Sequence, residues 1–356
     1  MATITAENPV PVENGHANGH AANADELDKK VALQSTVLID GKHQSAWEEF
    51  RREAYATIGT GTGAGAGEER KEDKRWFDDV TLARFFRARS YNVARALDQL
   101  RATDAWRRKI NLDHLYETFD VSQFETSRTY YTRWTGRRDL DGRPLYVFRI
   151  ASLDKKRQKA IFAEPEEERY NRIVVLTEFL SRFLTRFVSD VKHASPESKP
   201  SDAPAPPITS ITTIVDLASV SLMSLLALRS HLQQSITLGS AHYPETLDTI
   251  AVVNAPSFFP TVWSWVRLCF DEGTRRKIHI LGPAESEAAK KELRTLVAPA
   301  DLPRVYGGEM EWVFDDAPNL DDEIKAKLGA QELPTGPLDW NREKQEAVLL
   351  GTGRET

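Results

Sequence analysis

The chain has 356 residues, 40% of them hydrophobic, with 53 acids against 47 bases and a single cysteine. That length suits one large domain or two ordinary ones, and the apolar fraction is enough for a sizeable core. A net charge of −6 argues against nucleic-acid binding driven by bulk charge, and one cysteine excludes both an intrachain disulfide and a cysteine-cluster metal site.

Residues 1–30 are rich in Ala, Asn, Gly and acids and are expected to be disordered. They have neither the basic start nor the apolar core of a signal peptide. A helix is expected near Ser45 to Ala56. The glycines from Gly59 to Gly67 recur every second residue with no strand before them, so they do not match a dinucleotide fingerprint and read as a linker within 31–70. A small helical bundle spans about 71–125, with Leu82, Phe85 and Phe86 on one face, an N-cap at Asn92, and a stripe of Val93, Leu97, Leu100 and Trp106.

After Tyr130 the pattern alternates. RPLYVFRI (Arg143 to Ile150) reads as a strand, Glu164 to Val191 as a long helix, and 194–207 as an exposed Pro- and Ser-rich insertion. ITSITTIVDL reads as a strand and SLMSLLALRSHLQQSITLGSAH as a helix. Strand, helix, strand follow over Tyr243 to Leu281, then a helix from about Glu285 to Val297. Residues 313–356 form a tail of low periodicity. Strands alternating with helices predict a mostly parallel sheet with helical crossovers, in an α/β fold. No apolar run reaches about 18 residues, so any membrane contact is peripheral. The chain is expected to be soluble and cytoplasmic.

The segment Pro256 to Asp271 is expected as one helix. At about 100° per residue it gathers Phe258, Phe259, Val262, Trp263, Trp265, Val266, Cys269 and Phe270 on one arc. Three uses are open to such a face: packing on the sheet, closing a cavity around a large apolar ligand, or touching a membrane. GxSxG, HExxH, P-loop and EF-hand patterns are absent from the sequence. Cys269 has no adjacent charge to form a thiolate and reads as a structural residue. His231 and His242 lack metal-like spacing. A haem would want a His, Tyr or Cys aimed into the cavity, and ITTIVDL offers none. This pattern favours binding over catalysis.

Five segments resemble one family, in order, from about Trp76 to Trp312: FFRARSYNVARAL…AWRR, DGRPLYVFRI, ITTIVDLASVSL, YPETLDTIAVVNAPSFFPTVW and LPRVYGGEMEW. They are similar to the CRAL-TRIO family and, within it, to the fungal phosphatidylinositol/phosphatidylcholine transfer protein type. The resemblance implies an N-terminal helical lobe (71–125) beside a lipid-binding domain (126–312). In that domain a mostly parallel mixed sheet floors an apolar pocket closed by a gate helix. It implies phosphatidylinositol and a second lipid as ligands, with no other cofactor and no metal. Transient contact with a membrane surface is expected, with no nucleic acid bound; a monomer is expected, with a dimer left open because exposed aromatics would serve a gate or an interface alike.

Position by position, the resemblance places Arg89, Glu245, Thr274 and Lys277 around the phosphatidylinositol head group. A cation with a hydroxyl donor suits a phosphodiester, and a carboxylate suits inositol hydroxyls. It places Tyr131, Tyr146 and Thr213 near a second head group, and Phe258, Phe259, Val262, Trp263, Val266 and Phe270 on the gate helix and pocket wall. The second site departs from the family pattern. Ile211 stands where a serine is usual, and WTGRR is expected to lengthen the loop between Tyr131 and Tyr146. A second ligand other than standard phosphatidylcholine is therefore expected. A regulatory module acting through a protein partner is the alternative.

Overall fold

The computed structural model describes residues 38–58, 76–194, 206–270 and 272–354, apart from the side chains of 192–194 and 269. The expected disorder of 1–30, the Gly59 to Gly67 linker, most of the 194–207 insertion and the burial of Cys269 lie outside what is described.

The N-terminal lobe is built from α1 (Gln44–Thr57), α2 (Asp79–Ala88) and α3 (Val93–Lys109). Asp78 caps α2 by accepting from the Thr81 amide, and Asn92 caps α3 by accepting from the Arg95 amide. Their apolar stripes meet in one core, where Trp47 and Phe50 of α1 pack with Leu82, Phe85 and Phe86 of α2 and with Leu97 and Leu100 of α3. Two short helices, α4 (Leu112–Thr118) and α5 (Val121–Arg128), lead to the sheet.

The sheet has strand order β1-β2-β3-β4-β5, with β1 Arg133–Arg138, β2 Pro144–Arg149, β3 Ile211–Asp216, β4 Leu247–Val253 and β5 Ile278–Ile280. All neighbours pair in parallel except β1 with β2. The sheet is thus mostly parallel and mixed, as expected. One strand was not foreseen. The segment RWTGRR, expected as loop, is the antiparallel edge strand β1, and its charged and glycine content hides the period-2 pattern. Gly136 sits in it at φ +89°, and the backbone of Asn319 crosses close against it.

Side-chain alternation divides the sheet. Leu145, Val147, Ile214, Ala251 and Val253 point to one face, where α12 (Glu287–Leu296) and the segment from Leu302 to Phe314 cover them. The opposite face carries the cavity described below. Over it lie α6 (Lys155–Ala163), α7 (Glu166–Phe179) and α9 (Leu222–His242). The long helix expected over Glu164 to Val191 is present in outline, but a π-helical turn at Leu180–Leu184 separates α7 from α8 (Thr185–Ala194).

The gate segment also differs from expectation. The helix α10 runs only from Phe259 to Val266, followed by a 3₁₀ turn at Arg267–Cys269 and the short α11 (Glu272–Arg276). The C-terminal residues, whose periodicity is weak, contain α13 (Asp322–Leu328) and a hairpin of β6 (Leu338–Asn341) and β7 (Glu346–Leu349). Leu320, Ile324, Leu338 and Trp340 there pack into the same core as Phe183 of the π-helical turn and Phe187 of α8. Strands of four residues are too short for their alternation to stand out in the sequence.

Candidate functional site

On the open face of the sheet, Ile211, Thr213 and Val215 of β3 point the same way by strand alternation. The parallel register sets Tyr146 beside Thr213 and Thr213 beside Ile250, and likewise Phe148 beside Val215 and Val215 beside Val252. These side chains form the floor of a cavity of about 420 Å³. Phe179 and Leu180, at the start of the π-helical turn, supply one wall. Leu225, Leu232 and Ile236 of α9 supply another. Phe259, Val262, Trp263, Trp265 and Val266 of α10 close the side, with Phe270 beyond it. The lining is thus largely aliphatic and aromatic, which suits an apolar guest.

One expected wall residue falls elsewhere. Phe258 does not line the cavity; it is half-buried against the cluster containing Val220, Leu225 and Val262. The reason is local: α10 starts at Phe259 and not at Pro256, so Phe258 is its N-cap and not part of the helix.

Arg89, Glu245, Thr274 and Lys277 come from three separate regions of the chain and all reach the wall of this one cavity. Arg89 is the C-cap of α2, where its charge suits the helix dipole. The chain turns sharply after it, with Ser90 and Tyr91 at φ 51° and 62°. Thr274 and Lys277 share the turn before β5, closed by the Lys277 amide donating to the Thr274 carbonyl at 3.1 Å. Lys277 Nζ donates to Glu245 Oε2 at 2.8 Å and to the Leu247 carbonyl at 2.9 Å. Arg89 has no ion-pair partner among the described residues.

Glu245 holds a left-handed backbone at φ 57°, a conformation a non-glycine residue keeps only when its surroundings enforce it. They do so here. The neighbouring Tyr243 is buried, and its hydroxyl donates to Glu178 Oε2 at 2.7 Å. Arg107 grips the same carboxylate through two bonds, at 2.7 and 3.1 Å. Burial works to raise the Glu178 pKa, but the Arg107 guanidinium outweighs it and holds the group below the usual carboxylate range. The lobe helix α3 is thereby tied to α7 and to the turn that presents Glu245.

Tyr131, Tyr146 and Thr213 also line the cavity. Tyr131 Oη and His231 Nε2 are 2.8 Å apart. Burial, aided by the Arg169 charge, pushes His231 down to about 4, so its ring is neutral at pH 7. Burial likewise raises the Tyr131 and Tyr146 phenols. Thr213 Oγ1 is buried and has no hydrogen-bond partner. A hydroxyl left so in an apolar floor costs stability unless a guest or water meets it.

Three features were not singled out in the sequence. Arg128 lines the cavity while paired to Glu125 at 3.1 Å. His231 is the partner of Tyr131. Arg229 lies over the Trp265 ring, 5.1 Å from its centroid. A sequence pattern cannot pair Tyr131 with His231 or Arg229 with Trp265, which lie far apart along the chain. Among the described residues, no cluster of three or more His, Cys, Asp or Glu side chains is placed to hold a metal, and no helix is long and apolar enough to cross a membrane.

A family model of the CRAL/TRIO domain matches residues 127–308, more than half the chain. The chain belongs to the CRAL/TRIO domain family. Among similar proteins, Sec14 cytosolic factor of Schizosaccharomyces pombe is 30% identical over 235 residues, covering 66% of this chain and 76% of that one. SEC14 cytosolic factor of Yarrowia lipolytica is 28% identical over 268 residues, 73% of this chain and 51% of the relative. Phosphatidylinositol/phosphatidylcholine transfer protein SFH9 of Arabidopsis thaliana is 28% identical over 272 residues, 74% of this chain and 44% of the relative. The match thus spans about half, or less, of the latter two. The solved structure titled "Crystal structure of Sfh5" superposes with a TM-score of 0.53 over 84% of this chain and 94% of that one. At 16% identity that likeness speaks to the fold alone.

Proposed function

We propose that this CRAL/TRIO chain binds phosphatidylinositol in the cavity and moves it between membranes without chemically altering it. The observation that carries this is the meeting of Arg89, Glu245, Thr274 and Lys277 at the wall of an otherwise apolar cavity. A phosphodiester carries a negative charge that Lys277 and Arg89 would neutralise, and a carboxylate accepts from inositol hydroxyls. Its relatives' names support the same class, since one is called a phosphatidylinositol/phosphatidylcholine transfer protein and others cytosolic factors.

The physical logic is that of exchange between like environments. Each acyl CH₂ gains about 0.8 kcal/mol on leaving water but almost nothing on passing from bilayer to dry cavity. The apolar lining therefore permits uptake, and the head-group contacts select the lipid. In the empty site Lys277 and Glu245 satisfy each other, and a head group would have to separate them. The aromatic α10 would serve as the movable wall. The second ligand is proposed to differ from standard phosphatidylcholine, because Ile211 removes a hydroxyl from the part of the floor that β3 supplies and leaves Thr213 as the one hydroxyl β3 offers there.

Mass spectrometry of organic extracts of the purified chain tests this. Phosphatidylinositol at near one per chain is expected, together with a second lipid that is not phosphatidylcholine. Extracts that stay empty after incubation with mixed liposomes would overturn lipid exchange. Phosphatidylcholine transfer as fast as that of phosphatidylinositol would overturn the second-ligand part alone.

A further inference from the structure

We infer that the outer faces of α6 and of the first turns of α9 form a docking surface for an anionic bilayer, beside the cavity wall. The inference rests on the lipid-exchange reading but is tested apart from it.

The argument begins with α6, KKRQKAIFA. Lys155, Lys156 and Lys159 are exposed, and none has an ion-pair partner among the described residues. Two of them sit in the first turn, where the helix dipole opposes a positive charge. Local electrostatics therefore gives no reason for them to be there. Elsewhere cations are commonly matched, as Arg138 is with Asp321 and Glu323 and Lys290 is with Glu287. A chain of net charge −6 thus carries a patch of unmatched positive charge. The patch ends past Pro165, where Glu166, Glu167 and Glu168 open α7.

The second observation is apolar. Met223 and Leu226 of α9 are 74% and 45% exposed, and Phe162 of α6 is 39% exposed. Met223 and Leu226 stand three residues apart and share a face. Leu268, in the turn after α10, is 75% exposed. The two helices are joined edge to edge: Gln158 Nε2 donates to Ser224 Oγ at 2.7 Å, and the Phe162 and His231 rings are 6.2 Å apart. Their inner faces share one core through Ile161, Leu225 and Leu228, so the lysines and Met223 look outward together.

The third observation is position. Leu225 and Leu232, on the inner side of α9, line the cavity, and Arg229 bridges to the cavity wall by lying over Trp265. A lipid entering past α10 would pass beside this face. Isolated apolar side chains set among lysines suit an interface of anionic head groups over acyl chains. An acidic protein groove would match the charge but would not require the face to adjoin the cavity.

The experiment is vesicle flotation of the full chain with phosphatidylcholine vesicles and with phosphatidylcholine–phosphatidylserine vesicles, at low and high salt. Wild type is expected to float with the anionic vesicles and to be released by salt. Lys155→Ala/Lys156→Ala/Lys159→Ala should lose on the order of 100-fold in association, about fivefold for each lysine. It should retain its thermal transition and the lipid found in its extract. Met223→Ser/Leu226→Ser should weaken binding to anionic vesicles while leaving its salt dependence. Equal flotation with neutral vesicles, no flotation with either, or an unchanged triple-alanine variant would each overturn the proposal. Intact anionic flotation by a chain with no extractable lipid would instead strike the exchange reading and leave this surface standing.

Discussion

Lys277 Nζ and Glu245 Oε2 stand 2.8 Å apart across two segments separated by 32 positions, both at the cavity wall and both only partly exposed. This pair links the two halves of the proposed head-group site, one on the turn before β4 and one on the turn before β5. A phosphate reaching Lys277 must compete with Glu245, so each residue sets the other's availability.

Lys277→Ala is expected to reduce phosphatidylinositol transfer by roughly 10- to 100-fold, the loss of a charge-assisted hydrogen bond worth about 1.5–3 kcal/mol. Uptake of lipids with other head groups should be unchanged. Because the two residues touch, the double variant with Glu245→Gln should be non-additive. Transfer assays on the two single variants and the double variant measure this. Equal loss for every lipid would mean a damaged gate or fold.

How much of this was legible in the sequence depended on the range of the signal. The inner strands β3 and β4 announce themselves by their β-branched and apolar content, β4 ending in the unbroken apolar run Ile250 to Val253. So does the cap Asn92, which acts within one turn. The edge strand β1 did not, because Arg133, Arg137 and Arg138 serve ion pairs with Asp315, Asp301 and Asp321 that lie over 160 residues away. Arg89, Glu245, Thr274 and Lys277 could be marked individually only through resemblance. Glu245, Thr274 and Lys277 are brought together by the parallel pairing of β4 with β5, and Arg89 by the packing of the helical lobe, neither of which a local pattern encodes. The ends of the gate helix were misjudged because an apolar arc continues through the 3₁₀ turn that breaks it.

The Arg107–Glu178–Tyr243 network fixes the lobe to the sheet domain. Arg107→Ala leaves a fully buried carboxylate without its cation, which costs about 3–5 kcal/mol. Urea denaturation should show that loss as a lower midpoint with little change in slope. A loss under about 1 kcal/mol would mean that Glu178 takes up a proton or water at little cost.

Acid should destabilise the chain in a defined window. His231 is held at about 4 by burial and the Arg169 charge, and His242, stacked on Trp106, is held at about 4 by burial and Arg107, against 6.5 for a free ring. Both are neutral in the fold and take up protons more readily when unfolded. Their contribution is complete above pH 6.5 and is lost as pH falls from there through about 4. For His231 alone it amounts to at most about 3 kcal/mol. Denaturation midpoints taken across this range should fall with pH, and His231→Gln should flatten the slope.

Gly136→Ala tests the edge strand. At φ +89° an alanine is strained, and its Cβ would lie 2.4 Å from the Asn319 carbonyl carbon. Backbone cannot swing aside as a side chain can, so a loss of roughly 2–4 kcal/mol is expected. A thermal scan would show it as a lowered midpoint. A neutral substitution would mean that the Asn319 segment lifts away from β1 without cost.

Thr213→Val separates stability from recognition in one side chain. The Thr213 hydroxyl is buried without a partner in a floor made of Tyr146, Val215 and Ile250, so it costs the empty protein stability. Valine has nearly the same shape and no unmet hydrogen bond. The variant should therefore gain about 1 kcal/mol when free of lipid, read from the denaturation midpoint of delipidated protein. The same change should weaken retention of the second lipid several-fold, because its head group loses the hydroxyl offered to it. Phosphatidylinositol retention, governed by the Lys277 and Glu245 side of the cavity, should hold. A stabilised variant that keeps both lipids would show that the hydroxyl is met by water alone, and the second head group would then have to be sought at Tyr131 and Tyr146.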